Sequence, residues 1–100
     1  MRAIYDEILA HLESLGPVHE DAVTVGVFLK TDRKLAEVRP RTRDVSLALY
    51  LPRLVQDPRI TRVLGRDGPR VVHVLLLREP NNVDDQVRDW LTQAFLHASG

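Results

Sequence analysis

Cysteine is absent from this chain of 100 residues. That one absence excludes disulfides, thiol nucleophiles and thiolate metal sites together. Aromatic residues are also scarce, with one tryptophan, two tyrosines and two phenylalanines, so any surface that stacks bases or rings must draw on very few side chains. No apolar run approaches the roughly 20 residues needed to cross a bilayer. The opening Met1-Arg2-Ala3-Ile4-Tyr5-Asp6-Glu7 turns acidic before a signal-like apolar segment can develop, and the expected location is the cytoplasm. Excess charge of one sign is missing as well, since 14 basic residues balance 14 acidic ones.

What is present is an ordinary globular composition of 44 % hydrophobic and 28 % charged residues, enough for one domain over residues 1–100 to bury its aliphatic side chains without staples. The balanced charge is unevenly spread. Between Lys30 and Arg70 eleven basic residues face five acidic ones, leaving that stretch at +6 and the two ends together at −6. Separation of this kind can attract a polyanion or bring copies of the chain together, although solvated loops would carry it equally well.

Ile4, Ile8, Leu12 and Leu15 recur at helical spacing, with Tyr5 and Leu9 widening the stripe, and predict an amphipathic helix over residues 2–15. Gly16-Pro17 ends it, glycine offering a left-handed backbone and proline stopping the ladder. The period then changes to two. Val23, Val25, Val27 and Leu29 alternate with Thr24, Gly26, Phe28 and Lys30, predicting a first strand. Thr31 to Lys34 makes a turn, Leu35 to Arg39 a second strand, and Pro40 to Arg43 another turn. Val45, Leu47, Leu49 and Leu51 then alternate with Ser46, Ala48 and Tyr50 in a third strand. Irregular chain follows between Pro52 and Pro58. Ile60 to Leu64 reads as a short strand, Gly65 to Gly68 as a turn, and Arg70 to Arg78 as the most hydrophobic strand. A closing helix over about 80–98 shows one face of Val83, Val87, Trp90, Leu91, Ala94 and Phe95, with Pro80, Asn81 or Asn82 at its start. The expectation is an α+β fold, a two-layer sandwich in which an antiparallel meander of four to five strands carries an N-terminal and a C-terminal helix packed on one face.

His73 is the one polar residue of the run Val71 to Leu77. If the helices cover Val72, Val74 and Leu76, His73 lies on the opposite side of the sheet with Phe28 and Tyr50. The uncovered face could then receive a ligand, a base or a second subunit. It could also hold an acid–base pair of His73 with Tyr50 or Glu37. The plainer alternative is a partly buried strand histidine bonded locally.

Other chemistry is sparse. The four histidines are scattered singly, and the densest ligand-like triplet, His19-Glu20-Asp21, is expected in a loop. None of the serines Ser14, Ser46 and Ser99 is flanked as a nucleophile elbow requires. Trp90 lies in the helical stripe and reads as core. No metal, cofactor or catalytic residue is expected. The clearest binding signal is Arg39-Pro40-Arg41-Thr42-Arg43, a stiffened basic turn near Lys30, Arg33 and Lys34. It supplies phosphate contacts readily but base contacts only through Phe28 and Tyr50.

Taken together, "VRPRTRDVSLALYLP" and "RITRVLGRDGPRVVHVLLLREPNNVDDQVRDWLTQAF" resemble a bacterial domain-of-unknown-function family, the one numbered fifty-six fifty-five. The resemblance implies helix, meander and helix over nearly the whole chain. It also implies a C-terminal module of the kind found in larger proteins, some of them nucleic-acid related, with no catalytic residues to carry over. Glu79 departs from the usual capping residue before the proline of the last helix. The expected role is that of a small interaction module without catalytic activity, holding a protein partner or a second copy of itself through the open sheet face and the basic turns. The alternative is an accessory nucleic-acid-binding domain using the Arg39 to Arg43 turn. Partner-binding residues are expected among Arg39, Arg41, Arg43, Phe28, Tyr50 and His73.

Overall fold

The computed structural model describes residues 2–99, except for the side chain of Asp67. Met1 and Gly100, the ends of the expected domain, lie outside the described residues. Helix α1 spans Arg2–Leu15 and buries Ile4, Ile8 and Leu12 of the stripe that its periodicity predicts, while Leu15, at its last turn, stays exposed. Gly16 follows with φ 159°, an extended rather than a left-handed helical conformation. Six strands come next: β1 His19–Val23, β2 Gly26–Lys30, β3 Lys34–Pro40, β4 Val45–Leu51, β5 Ile60–Asp67 and β6 Arg70–Leu77. A 3-10 turn at Pro80–Asn82 leads to helix α2, Asp85–Ala98.

The strands form one antiparallel sheet in the order β1-β2-β3-β4-β6-β5. Two features differ from the expected meander. The alternating run from Val23 to Lys30 is two strands rather than one, because the chain reverses at Thr24-Val25 and pairs Val23 with Gly26. Alternation continues through the turn by coincidence, and Val25 stands exposed in it. Gly26 marks the place: a Cβ there would lie 2.3 Å from the Val38 carbonyl oxygen, so only glycine permits this approach of β2 to β3. The opposite end of the sheet departs from simple succession as well. The chain leaves β4, skips a place and returns as the β5–β6 hairpin, which leaves β5 at the edge and β6 in the interior. β5 also runs on through the expected Gly65 to Gly68 turn as far as Asp67, with register shifts near Thr61 and Leu64.

Both helices lie on one side of the sheet, giving the two-layer α+β sandwich. Val87, Trp90, Leu91, Ala94, Phe95 and Ala98 of α2 bury themselves with Ile4, Ile8 and Leu12 against Leu29, Ala36, Val38, Leu47, Leu49 and Leu75. Each fully buried leucine contributes about 2 kcal/mol of transfer free energy, and that shared layer is where most of the apolar driving force sits. α2 starts later than expected. Asp84 is its cap, its carboxylate accepting from the Val87 N–H at 3.0 Å, while Asn82 accepts the Arg78 and Glu79 N–H groups and closes the preceding turn instead. The helices are joined laterally by His11, whose Nε2 lies 2.9 Å from Thr92 Oγ1. Because that hydroxyl already donates to the Arg88 carbonyl, His11 Nε2 is the donor. Burial lowers the His11 pKa, and the Arg88 charge adds to this against the hydrogen bond to the Arg88 backbone.

Candidate interaction surface

The pairing register decides which residues share a face. Leu47 stands opposite Leu75, Leu49 opposite His73 and Leu51 opposite Val71, and cross-strand partners point the same way. Leu47, Leu49 and Leu51 lie under the helices, so His73 does too. This corrects the expectation that it joins Phe28 and Tyr50 on the uncovered side. Alternation in β6 cannot choose a side, since Val72, Val74 and Leu76 are as apolar as Val71, Leu75 and Leu77; only its pairing with β4 fixes the choice. His73 is fully buried, and both ring nitrogens are used. Nε2 accepts the Val55 N–H at 2.9 Å, and Nδ1 lies 3.0 Å from the Val71 carbonyl, which requires the proton on Nδ1. Burial pushes its pKa below the ordinary histidine value, outweighing the backbone hydrogen bonds to Val71 and Leu49 that act the other way. The ring thus anchors the β4–β5 connection to the helix side of β6. Tyr50 and Glu37 lie on the reverse side of the sheet, so the three groups cannot form one acid–base site.

The unroofed face can be read from the same register. Phe28, Glu37, Ala48 and Val74 form one row across β2, β3, β4 and β6. Tyr50 pairs with Val72, and Ser46 pairs with both Arg39 and Leu76. Arg62 on β5 stands opposite Val74. No helix covers this face, yet Ala48 and Val74 are only 6 % and 4 % exposed. Two long side chains lie on its rings. Lys34 Nζ sits 4.1 Å from the Phe28 ring centroid, and the Arg70 guanidinium carbon sits 4.9 Å from that of Tyr50. Arg70 also donates to the Lys34 carbonyl, and Arg39 Nε donates to Glu37 Oε2 at 2.8 Å. Phe28, Tyr50, Val72 and Leu76 remain half-buried. Among the described side chains cations outnumber acids here: Lys30, Lys34, Arg39, Arg62 and Arg70 accompany Asp21 and Glu37, and Asp67 pairs in register with Arg70.

The basic turn is split in its roles. Arg39 points onto the unroofed face, whereas Arg41 and Arg43 lie in the exposed β3–β4 turn. That turn is closed by Arg41 N–H donating to the Asp44 carbonyl at 2.9 Å and by the ion pair of Arg41 Nε with Asp44 Oδ1 at 2.9 Å. His19, Glu20 and Asp21 belong to edge strand β1 rather than to a loop. Successive residues there diverge, Glu20 accepting from the Tyr5 hydroxyl on the helix side and Asp21 pairing with Lys30 on the other. Burial, and then the Glu20 carboxylate, push the Tyr5 pKa up. Among the described residues no three His, Asp or Glu side chains cluster as a metal site would need. No helix of the described residues is long and apolar enough to cross a membrane.

Sequence reasoning did not single out Arg70 and Arg62 as binding residues. Counting back by twos from Leu76 through Val74 and Val72 puts Arg70 on the same face, and that is the signal that identifies it. Fold and face together define a small α+β sandwich with helices on one side only and a cation-rich sheet on the other. The chain belongs to the family described as Domain of unknown function (DUF5655), whose model matches residues 1–98, the family that the strand and helix patterns resemble. No curated protein and no solved structure matches the chain.

Proposed function

We propose that the chain is a non-catalytic interaction module whose unroofed sheet face holds a protein partner bearing acidic side chains around an apolar centre. The observation that carries this reading is the composition of that face, where half-buried Phe28, Tyr50, Val72 and Leu76 are accompanied, among the described side chains, by five cations and two acids. Rims of opposite charge steer partners together and penalise like-charged ones. Two copies of this face placed against each other would bring their arginines and lysines together, so an acidic partner suits it better than a second copy. A nucleic-acid partner is less well served. The rings of Phe28 and Tyr50 carry Lys34 and Arg70 where bases would stack.

The test is photo-crosslinking of the full chain in the cells that make it, with a photoreactive residue at position 76 and, as control, at exposed Leu96 on α2. Position 76 is expected to yield a discrete adduct with an acidic protein, lost on Val72→Asp and absent from position 96. An adduct at twice 11.4 kDa would replace the acidic partner with a second copy. Adducts equal at both positions, or none at 76, would remove the face as a binding surface.

A further inference from the structure

A second cationic feature lies off the unroofed face, at the end of the sheet beside α1. The β3–β4 turn and the end of β6 bound a cleft of about 140 Å³ lined by Arg41, Thr42, Arg43, Asp44 and Arg78, with buried Ile4 and Val45 as its apolar wall. Three guanidiniums and one carboxylate leave the cleft at about +2. The carboxylate lies 2.9 Å from Arg41 Nε as an ion pair, its buried Oδ1 making no hydrogen bond among the described residues. Arg43 and Arg78 have no ion-pair partner among the described residues, in contrast to Arg2, Lys30, Arg39, Arg59 and Arg88, each of which faces an aspartate or glutamate. Both lie on fixed backbone. Pro40 and the hydrogen bond from Arg41 N–H to the Asp44 carbonyl set the turn, and Arg78 follows β6 directly with its N–H held by Asn82. Guanidinium forks carried on ordered backbone around a small cleft can bind an oxyanion through paired N–H donors.

We propose that this cleft binds a dianionic phosphate monoester, with Arg43 and Arg78 donating to its oxygens and the Thr42 hydroxyl beside them. The charge count selects the ligand: a dianion brings the cleft to neutrality, whereas a phosphodiester, with one charge, leaves half of the excess in place. The site uses none of the residues of the unroofed face, so either can fail without the other.

The probes are inorganic phosphate, a nucleoside monophosphate, the same nucleoside without phosphate, and a short oligonucleotide lacking terminal phosphates, each followed by backbone amide chemical shifts of the full chain. Inorganic phosphate and the monophosphate are expected to give saturable shifts confined to residues 41–45 and 78, and the bare nucleoside none. Arg43→Gln and Arg78→Gln, both at exposed positions that keep the fold by circular dichroism, should each weaken binding about tenfold. Affinity for the monophosphate should rise as pH passes upward through about 6, where the ester takes its second charge. Sulfate, a dianion throughout that range, should bind without the pH dependence. Absence of shifts at millimolar phosphate would overturn the site, as would shifts indifferent to Arg78→Gln. Tighter binding of the unphosphorylated oligonucleotide at the same residues would overturn the monoester in favour of a nucleic-acid backbone.

Discussion

Replacing His73 by leucine tests whether this ring is a structural anchor. In the folded chain the neutral imidazole accepts from the Val55 N–H at 2.9 Å and, through Nδ1, serves the Val71 carbonyl at 3.0 Å. His73→Leu leaves both backbone groups without that partner, at a cost of roughly 1–3 kcal/mol each, and recovers about 1–2 kcal/mol from the added aliphatic burial. A net loss of about 2 kcal/mol is therefore expected at pH 8. Burial lowers the folded-state pKa of His73 below its unfolded value, so the unfolded chain takes up the proton first as pH falls. The stability due to the neutral ring is thus complete above about pH 6.5 and is lost below it, at up to about 1.4 kcal/mol per pH unit until the folded-state pKa is passed. His11, whose pKa is also lowered, adds a slope of the same sign but is present in both proteins and cancels in the difference. Urea unfolding of wild type and variant at half-unit steps from pH 8 to 5 should show a gap of about 2 kcal/mol that narrows steadily below pH 6.5. A gap constant over the whole range would refute the neutral buried imidazole, and equal stabilities at pH 8 would refute the two hydrogen bonds. Hydrogen exchange offers a local check, because the Val55 amide should lose protection in His73→Leu more than the amides of β3 do.

Two further expectations follow from single contacts. Gly26→Ala forces a Cβ against the Val38 carbonyl oxygen and the Arg39 backbone, so it should destabilise by more than about 2 kcal/mol, far beyond the 0.5–1 kcal/mol by which alanine ordinarily improves on glycine within a strand; denaturant midpoints measure it, and a neutral or stabilising result would refute the close approach. Asp84→Ala removes the cap of α2 and the 2.8 Å ion pair with Arg59, which should cost about 1 kcal/mol at neutral pH; because the Val87 N–H, and after it Arg59, hold the Asp84 pKa below its usual value, the difference from wild type should persist from neutral pH down to the ordinary carboxylate range and disappear as pH falls below it.

The helices were legible because their apolar stripes leave only one phase: Ile4, Ile8 and Leu12 are buried as the spacing demands, and Val87, Trp90, Leu91, Ala94 and Phe95 likewise. β4 was legible for the same reason at period two. Misreadings arose where the pattern carried no phase information. The unbroken alternation from Val23 to Lys30 reads as one strand, whereas the two-residue turn pairs Val23 with Gly26 and sets Val23 on the other face from Val27 and Leu29; the steric fact that marks the turn, the Val38 carbonyl beneath Gly26, is tertiary. β6 is apolar on both sides, so the face of His73 depended on a register that a single sequence does not encode. The insertion of β6 between β4 and β5 is a tertiary choice of the same kind. Of the expected partner-binding residues, Phe28, Tyr50 and Arg39 do share the unroofed face, Arg41 and Arg43 lie at the end of the sheet, and His73 is beneath the helices. Arg70 was not singled out because its burial depends on packing against Tyr50 across the sheet, where it is 5 % exposed.

The side chains that cover the unroofed face also limit how it can bind. Ala48 and Val74 are already screened by their neighbours, so a partner gains apolar burial mainly from Phe28, Tyr50, Val72 and Leu76, each of them half-buried beforehand. Four partly exposed side chains provide far less area than the roughly 800 Å² per partner of a stable interface. Charge must then supply a large share of the attraction, in the form of faster encounter rather than slow release. Raising ionic strength from about 0.05 M to 0.5 M shortens the screening length to well under 10 Å and should slow association with the captured partner by an order of magnitude or more while leaving dissociation nearly unchanged. Arg39→Gln with Arg62→Gln should reproduce that slowing at low salt and remove most of the salt dependence. An association rate indifferent to salt, or a loss of affinity carried wholly by faster dissociation, would mean that the apolar residues rather than the cationic rim dominate the contact, and that Lys34 and Arg70 move off the rings of Phe28 and Tyr50 when the partner binds.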